Sequence, residues 1–300
     1  MASVVLNAIN RWRRIYHRKR YARHFAERAA GAPKLPYNGQ PRVTAVLQLF
    51  NKRQNIEAIV AALLSSPIEE IIVIDDGSSD GAIEILPRLL TGKNHFIIRS
   101  NDLFEVRTYS RALDFARGEI VALLQDDDLP PSDGLWVEEA LALFDRYPKL
   151  AVLGGRDGLQ LKLSKVPNSP PSLTYSPVNH RKNESTELAF TFVDVVNRAP
   201  MLLRRDAIQR LGGIDNTFAP FQCDDVDLCL RTWKAGLQVG MYSTGFVRDV
   251  GMGGMRLFNA GRLPEQAKKN WEIIYNRYGN DVGKGYFETL VANARNAEQV

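Results

Sequence analysis

The sequence predicts an α/β protein with a mixed, mainly parallel sheet that is flanked by helices on both faces. The first observation is the alternation of apolar strand segments and helical segments from residue 43 onward. The second is the position of two acidic clusters, at residues 75–76 and 126–128, each directly after a predicted strand. Alternating strands and helices are typical of parallel sheets, which bind ligands beyond the carboxyl ends of their strands.

Apolar periodicity places each element in turn. Strands are expected at residues 43–50, 70–75, 95–99, 120–124 and 150–153, and regular structure of unspecified type is expected at 188–196 and around 201–204. Helices are expected at residues 55–64, 80–90, 106–117, 132–147, 224–236 and 264–278. Pro87 should weaken the second helix, and Ser132 or Asp133 should cap the fourth. Residues 156–187 contain four prolines and little periodicity, which predicts a long loop that serves as a lid or an acceptor-binding insert.

The first 42 residues differ in charge from the rest of the chain. They contain ten Lys or Arg residues against one acid, whereas the remainder contains 29 basic and 33 acidic side chains. A helix over residues 3–28 would place on one narrow face the side chains of Val5, Ile9, Trp12 and Tyr16. Two interpretations stay open: a helix that lies on an anionic membrane or a partner, and a solvated helix that packs on its own domain. Residues 31–42 resemble a linker.

Composition excludes several classes of protein. The 300 residues are 45% hydrophobic and 24% charged, as in soluble globular proteins. The positive charge lies in the N-terminal segment rather than on the folded body, so no nucleic-acid partner is expected. Two cysteines, Cys223 and Cys229, exclude a disulfide framework and are expected to be core thiols. No membrane span or signal peptide is evident, so we expect a cytoplasmic protein, with peripheral membrane contact through residues 1–30.

Three consecutive carboxylates, Asp126, Asp127 and Asp128, follow the predicted strand at 120–124. Neighbouring carboxylates at ~4 Å repel one another by roughly 1 kcal/mol in water and by more in a cleft. A divalent cation would relieve this repulsion, and oxygen ligands suit Mg²⁺ or Mn²⁺. The alternative is helix capping, for which a single acidic residue suffices.

The loop after the strand at 70–75 carries Asp75, Asp76 and Ser78. A calcium loop is excluded because a strand precedes the segment and Pro87 stands where the last ligand would be. The side chains suit hydrogen bonding to a base or ribose, although a simple strand-to-helix turn has the same composition. Arg107, at the start of a later helix, could face a phosphate or solvent.

A third acidic segment, Asp224 to Asp227, begins the predicted helix after Gly212-Gly213-Ile214-Asp215. Asp227 is placed to pair with Arg231 on the polar side of the helix, and Asp224 is expected near that side. Asp225 sits at the edge of the apolar face, where burial would raise its pKa and suit it to act as a general base. A surface capping role is the alternative.

The three acidic elements, in this order, resemble those of the family 2 glycosyltransferases of the GT-A fold. The resemblance covers roughly residues 43–255, which leaves the basic helix and linker at 1–42 and a C-terminal helical extension at 256–300. It implies an inverting transferase that moves a sugar from a nucleotide-sugar, expected to be UDP-linked, to a saccharide or lipid-linked acceptor. The alternatives are a non-catalytic nucleotide-sugar-binding scaffold and a sugar nucleotidyltransferase, although residues 47–52 lack the glycine-rich loop of the latter.

The resemblance also implies roles for individual residues. Asp76 is expected to contact the base, with Asp75, Ser78, Arg107 and Asp126 as further nucleotide contacts. The acidic triplet, Asp126 to Asp128, is expected to bind Mn²⁺ or Mg²⁺ on the diphosphate, and the pair Asp224-Asp225 to supply the base, which Asp225 carries.

Three positions depart from the family pattern. Gln125 stands where the family has the first acid of its metal-binding motif. Alignment with that motif favours Asp127 as the main metal ligand, whereas the Asp-x-Asp spacing favours Asp126 and Asp128. Asp224 replaces the usual Glu. Asp249 is the nearest polar residue to the position where relatives often have His.

Overall fold

The computed structural model describes residues 16, 19, 40–155, 158–164, 172–178, 190–198, 200–248, 261 and 263–297. Of the basic helix predicted over residues 3–28, only Tyr16 and Lys19 are described, and both are helical. The chain divides into two compact units, residues 1–40 and 41–300, and the strands and helices of the sheet layers all lie in the second unit.

The strands are β1 (Val43–Leu49), β2 (Glu70–Asp75), β3 (His95–Arg99), β4 (Ile120–Gln125), β5 (Asp128–Leu129), β6 (Leu150–Gly154), β7 (Gly158–Ser164), β8 (Ser172–Val178), β9 (Thr191–Phe192), β10 (Val195–Val196), β11 (Met201–Arg204), β12 (Gln238–Met241) and β13 (Val247–Arg248). The helices are α1 (Arg53–Ser65), α2 (Ala82–Leu89), α3 (Phe104–Phe115), α4 (Leu135–Arg146), α5 (Arg205–Arg210), α6 (Asp224–Lys234), α7 (Leu263–Gly283) and α8 (Tyr286–Asn296). A 3₁₀ turn covers Asn216–Phe218.

The main sheet has eight strands in the order β3-β2-β1-β4-β11-β6-β12-β9. Only β11 and β9 run antiparallel to their neighbours, so the predicted mixed, mainly parallel sheet is confirmed. Every residue of β1, β2, β4 and β6 is buried, because packed helices cover both faces of a parallel sheet. Helix α3 packs against β1, and α4 and α6 pack against β6. No helix in the described ranges has the length and apolar character that crossing a bilayer requires.

The strands predicted at 70–75 and 95–99 are confirmed with the same bounds, and the regular structure expected around residues 201–204 is the strand β11. The long loop predicted over 156–187 is wrong for the residues described there, because β7 and β8 pair as an antiparallel hairpin and β10 joins β7. Leu159, Leu161 and Leu163 alternate with polar residues, which is the period of a strand. Pro177 fits because β8 is an edge strand of this three-stranded sheet, where a missing N–H is tolerated.

The helix boundaries also differ from expectation by a few residues. Helix α4 begins at Leu135 after Gly134, whose φ of 73° lies in the left-handed region that favours glycine, while Asp133 accepts a hydrogen bond from the Leu135 N–H at 3.1 Å. Pro87 lies within α2 rather than ending it. The helix predicted at 264–278 is longer, and α8 was not predicted.

Candidate active site

The loops after β1, β2 and β4 meet at the carboxyl edge of the sheet. Strand β1 lies between β2 and β4, with Leu49 opposite Asp75 and Gln48 opposite Gln125. The backbone of the segment 49–51 receives contacts from both acidic loops. The Asp76 N–H donates to the Leu49 carbonyl at 2.9 Å, the Phe50 N–H donates to Asp126 Oδ2 at 2.7 Å, and the Asn51 N–H donates to Ser78 Oγ at 2.9 Å. The structure therefore brings together the first two acidic clusters that the sequence singled out.

Asp75 and Asp76 are both buried and both bind backbone within this edge. Asp75 Oδ1 accepts a hydrogen bond from the Ser78 N–H at 3.2 Å, which shapes the loop after β2. Asp76 accepts from Ser100 Oγ and from the N–H groups of Leu103 and Phe104, at 2.8–2.9 Å. These contacts tie the Asp76 carboxylate to the start of α3, where the helix dipole favours a negative charge.

The side chains of the acidic triplet lie in different environments. Asp126 and Asp127 lie in the turn after β4, whereas Asp128 is buried in β5. Burial raises the pKa of Asp126 to about 8, with the charge of Asp127 adding to the rise and the Phe50 N–H and Lys52 opposing it. Asp127 Oδ2 lies 3.2 Å from Arg248 Nη2. Within the described ranges, no three His, Cys, Asp or Glu side chains group closely enough to hold a metal by themselves.

Arg198 connects the acidic turn to the third acidic segment. Its side chain is buried and forms ion pairs with Asp224 and, at 2.7 Å, with Glu105 Oε1. Gln125, at the end of β4, donates to the same Glu105 oxygen. The Arg198 guanidinium also lies over the ring of Tyr109, 4.6 Å from its centroid. Burial lowers the pKa of Arg198, but these carboxylates outweigh it and hold the pKa above its ordinary value. A continuous chain of contacts thus runs from Gln125, next to Asp126, to Asp224.

Asp224 and Asp225 begin α6 but differ in exposure. Asp224 is buried at 2% exposure against Arg198, so its expected place near the polar side of a solvated helix is wrong. Asp225 is partly exposed, and its Oδ1 accepts a hydrogen bond from the Val226 N–H at 2.9 Å. Burial raises the pKa of Asp225, Glu105 raises it further, and Arg198 opposes the rise. Asp225 is therefore the member of the pair that combines access with a raised pKa.

A cavity of about 540 Å³ opens at this edge of the sheet. Its polar lining includes Glu105, Arg198, Asp224, Asp225 and Arg248. Arg248 also pairs with Asp127, so the acidic turn contacts the lining of the cavity through Arg248, although Asp126 and Asp127 are not themselves among the lining residues. The cavity is large enough for a small ligand.

Helix α7 supports the start of α6 from outside the sheet. Asp227 pairs with Arg231 as predicted, at 2.7 Å, but the Asp227 side chain is fully buried rather than on a solvated face. It also accepts hydrogen bonds from Arg277 and Tyr278 of α7, at 2.8 and 2.7 Å. Cys223 and Cys229 are buried free thiols, as expected.

One of the remaining predicted positions, Arg107, does not join the cluster. Arg107 is exposed on α3 and is not brought to the cavity, because it lies two residues, or about 200° of helical rotation, from the inward-facing Glu105. Asp249 lies outside the described residues.

The sequence reasoning missed Glu105, Arg198 and Arg248, none of which belongs to a periodic acidic motif. The signal that could have indicated these arginines is the excess of acids over bases in the predicted cleft, because buried carboxylates are stabilised by nearby cations.

Comparisons with known proteins bear on the family and the fold of the chain. A family model described as glycosyl transferase family 2 matches residues 44–211. TuaG of Bacillus subtilis (strain 168), assigned as a teichuronic acid biosynthesis glycosyltransferase, is 31% identical over 149 residues, which are 46% of this chain and 57% of TuaG.

Two solved structures share the fold at low sequence identity. The mannosyltransferase PcManGT from Pyrobaculum calidifontis, in complex with GDP-Man and Mn²⁺, has a TM-score of 0.53 and 16% identity, over 75% of this chain and 61% of that protein. GalNAc-T7 with UDP, GalNAc and Mn²⁺ has a TM-score of 0.53 and 13% identity, over 68% of this chain and 42% of that protein. The chain spans less than two thirds of the length of each of these three relatives.

Proposed function

Because the chain belongs to glycosyltransferase family 2 and has the GT-A fold, we propose that it transfers a sugar from a nucleotide-sugar to an acceptor hydroxyl. The observation that carries the proposal is the cavity lined by Asp224, Asp225 and Arg248, because Arg248 also pairs with Asp127 of the acidic turn after β4. The reaction assigned to this cavity is a single displacement with inversion at the anomeric carbon.

Asp225 is the proposed general base. Its carboxylate is partly exposed in the cavity, and its raised pKa favours proton uptake from a hydroxyl. As the acceptor hydroxyl loses its proton to Asp225, its oxygen bonds to the anomeric carbon. The bond from that carbon to the phosphate oxygen breaks on the opposite face, and the nucleoside diphosphate leaves with the electron pair. Asp224 is buried against Arg198, and this ion pair fixes the start of α6.

The donor is proposed to lie over the ends of β1, β2 and β4. Asp75, Asp76 and Ser78 border this region, and they remain the proposed contacts of the nucleoside. Arg248 is proposed to contact the diphosphate, because its guanidinium lines the cavity and its buried Nε has no hydrogen-bond partner among the described residues. We propose UDP as the nucleotide, which is the one bound in GalNAc-T7.

The acidic turn fits a divalent cation that is shared with the substrate. Mg²⁺ is usually held by one or two carboxylates together with substrate phosphates, so a cage of three protein side chains is not needed. Asp126 and Asp127 repel one another in a partly buried turn, which contributes to the raised pKa of Asp126, and a cation would relieve this repulsion. We propose these two residues, with Asp128 behind them, as the site for Mn²⁺ or Mg²⁺. When bound, the cation would neutralise charge that develops on the diphosphate.

The test is nucleotide release by the full chain with Mn²⁺, across UDP-glucose, UDP-galactose, UDP-N-acetylglucosamine and GDP-mannose. We expect slow release from a UDP-sugar without acceptor, and Asp225→Asn to lower it about 100-fold while UDP affinity is retained. Asp114→Asn, which changes an exposed carboxylate on α3, is the matched control. Release at the normal rate by Asp225→Asn would remove Asp225 from this role. UDP-sugar binding without any release would favour the non-catalytic scaffold.

We also propose that residues 1–30 contact an anionic membrane surface from the cytoplasmic side. The support is their charge, since this segment holds eight Lys or Arg residues against one acid. Co-sedimentation with phosphatidylglycerol vesicles should be lost when residues 1–30 are removed and should weaken in high salt. Unchanged co-sedimentation of the shortened chain would contradict this proposal.

A further inference from the structure

A stacked aromatic pair lines the same cavity as the two catalytic-site aspartates. Tyr175 of β8 and Trp271 of α7 lie with ring centroids 6.0 Å apart and ring planes 19° apart, and both line the cavity. Trp271 is partly buried, whereas Tyr175 keeps 51% of its surface exposed. Trp271 packs against the edge of the core, but the pair is not enclosed by it. It presents aromatic surface beside Asp224 and Asp225.

The lining of the cavity contains an apolar set and a polar set of side chains. Leu263, Ala267 and Trp271 recur every four residues on α7 and so lie on one side of that helix, whereas Asn197 and Gln222 lie next to the charged residues in the chain. A pyranose ring has the same division, because its C–H groups form an apolar face and its hydroxyls form a polar rim. An extended prenyl chain has no polar rim, so it would desolvate the charged residues of the lining without giving them hydrogen bonds.

The position of Trp271 is fixed relative to the catalytic segment. The preceding residue, Asn270, is fully buried and donates hydrogen bonds to the carbonyls of Phe218, Phe221 and Gln222, just before Asp224. Helix α7 lies beyond residue 211, where the family match ends, so Trp271 comes from a part of the chain that the match does not cover, whereas Tyr175 lies within the match.

We propose that the acceptor is a carbohydrate, whose ring lies against the Tyr175–Trp271 pair while one of its hydroxyls faces Asp225. The inference rests on the proposed function for the identity of the base. Under this proposal the cavity recognises a sugar ring, whether the sugar is free or carried on a lipid. Contact of the C–H face with the rings would be stabilised by the removal of apolar surface from water.

The experiment measures binding rather than turnover. The full chain, with UDP and Mn²⁺, is titrated with methyl pyranosides of glucose, galactose, mannose and N-acetylglucosamine and with their β-linked disaccharides, and saturation-transfer NMR reports contact. Farnesyl phosphate is the lipid probe without a sugar. We expect at least one saccharide to bind at millimolar concentration, and Trp271→Ala to weaken that binding more than about 10-fold, which corresponds to about 1.4 kcal/mol. Tyr175→Ala, at an exposed edge strand, should weaken it as well.

The controls separate this inference from folding and from the proposed transfer. Phe115→Ala changes an exposed aromatic that does not line the cavity, and it should leave saccharide binding unchanged. UDP affinity, measured in every variant, would reveal misfolding. The inference is overturned if no saccharide binds, if both ring variants bind as the normal chain does, or if only farnesyl phosphate binds. If saccharides bind through Trp271 but no donor is turned over, the proposed transfer fails and the carbohydrate site stands.

Discussion

Asn270 should be essential for the geometry of the segment that precedes Asp224, although it lies 46 residues further along the chain. Its Nδ2 lies 2.8–3.0 Å from the carbonyl oxygens of Phe218, Phe221 and Gln222. Gln222 and Cys223 have φ values of 75° and 66°, in the left-handed region that residues other than glycine rarely adopt. Asn270→Asp keeps the size of the side chain but removes the donors and turns carboxylate oxygens toward these carbonyls.

The expected magnitude depends on the number of donors. One amide NH₂ has two hydrogens, so two of the three contacts count as full hydrogen bonds. Each contributes about 1 kcal/mol net, and a buried carbonyl that loses its donor costs about 1–3 kcal/mol. We therefore expect Asn270→Asp to lower the free energy of unfolding by about 3 kcal/mol. For a unit of this size, that lowers Tm by roughly 6 °C.

The assay is thermal unfolding followed by circular dichroism, together with the rate of nucleotide release. The release rate should fall about 10- to 100-fold at temperatures where the variant is folded, because a displaced Asp225 no longer meets the acceptor oxygen. Asn276→Asp, at an exposed position on the same helix, is the matched control and should change neither quantity. If Asn270→Asp unfolds at the same temperature as the normal chain, the hydrogen bonds do not hold this segment and the reasoning is refuted.

Three further predictions concern the charges around the cavity. Arg198→Met should lower the free energy of unfolding by about 3–5 kcal/mol, because it leaves buried carboxylates without their cation, and an unchanged denaturant midpoint would contradict this. Chelation of divalent metal should weaken UDP binding measured by calorimetry, and added Mn²⁺ should restore it. Asp127→Ala combined with Asp128→Ala should abolish this Mn²⁺-dependent gain in UDP affinity. Equal UDP affinity in all samples would end the metal assignment. Nucleotide release should fall as pH drops through the raised pKa of Asp225, since the base must be deprotonated, and a midpoint at the ordinary aspartate pKa near 4 would show that Asp225 is solvated instead.

The sequence predicts the central sheet well because the signal there is local. Ile71 to Ile74 are four consecutive β-branched residues that favour a buried strand, and the bounds of β2 agree with the prediction. The acids that follow such strands must lie at one edge of the sheet, since parallel neighbours end on the same side. The approximate position of the site was therefore predictable before its side chains were known.

The partners of the acids were not predictable, because they come from distant segments. The pairing of Asp227 with Arg231 follows from helical spacing, but its burial depends on Tyr278, 51 residues away. The hairpin was missed for a different reason: the prolines between and within its strands masked a period of two that Leu159 and Leu161 begin. Helix α8 has its buried residues, Phe287 and Val291, at helical spacing, so the sequence did carry a signal for it.

The arginines, more than the acids themselves, determine which carboxylate can act as the base. Three acids lie in the first turn of α6, and two of them are buried against cations: Asp224 against Arg198, and Asp227 against Arg231 and Arg277. A carboxylate that is enclosed in a buried ion pair has its oxygens in contact with the cation and is not open to an acceptor hydroxyl. Asp225 is the one that remains partly exposed in the cavity, with its pKa raised by burial and by Glu105. The same arginines that stabilise its neighbours thus leave Asp225 as the carboxylate suited to take a proton from the acceptor.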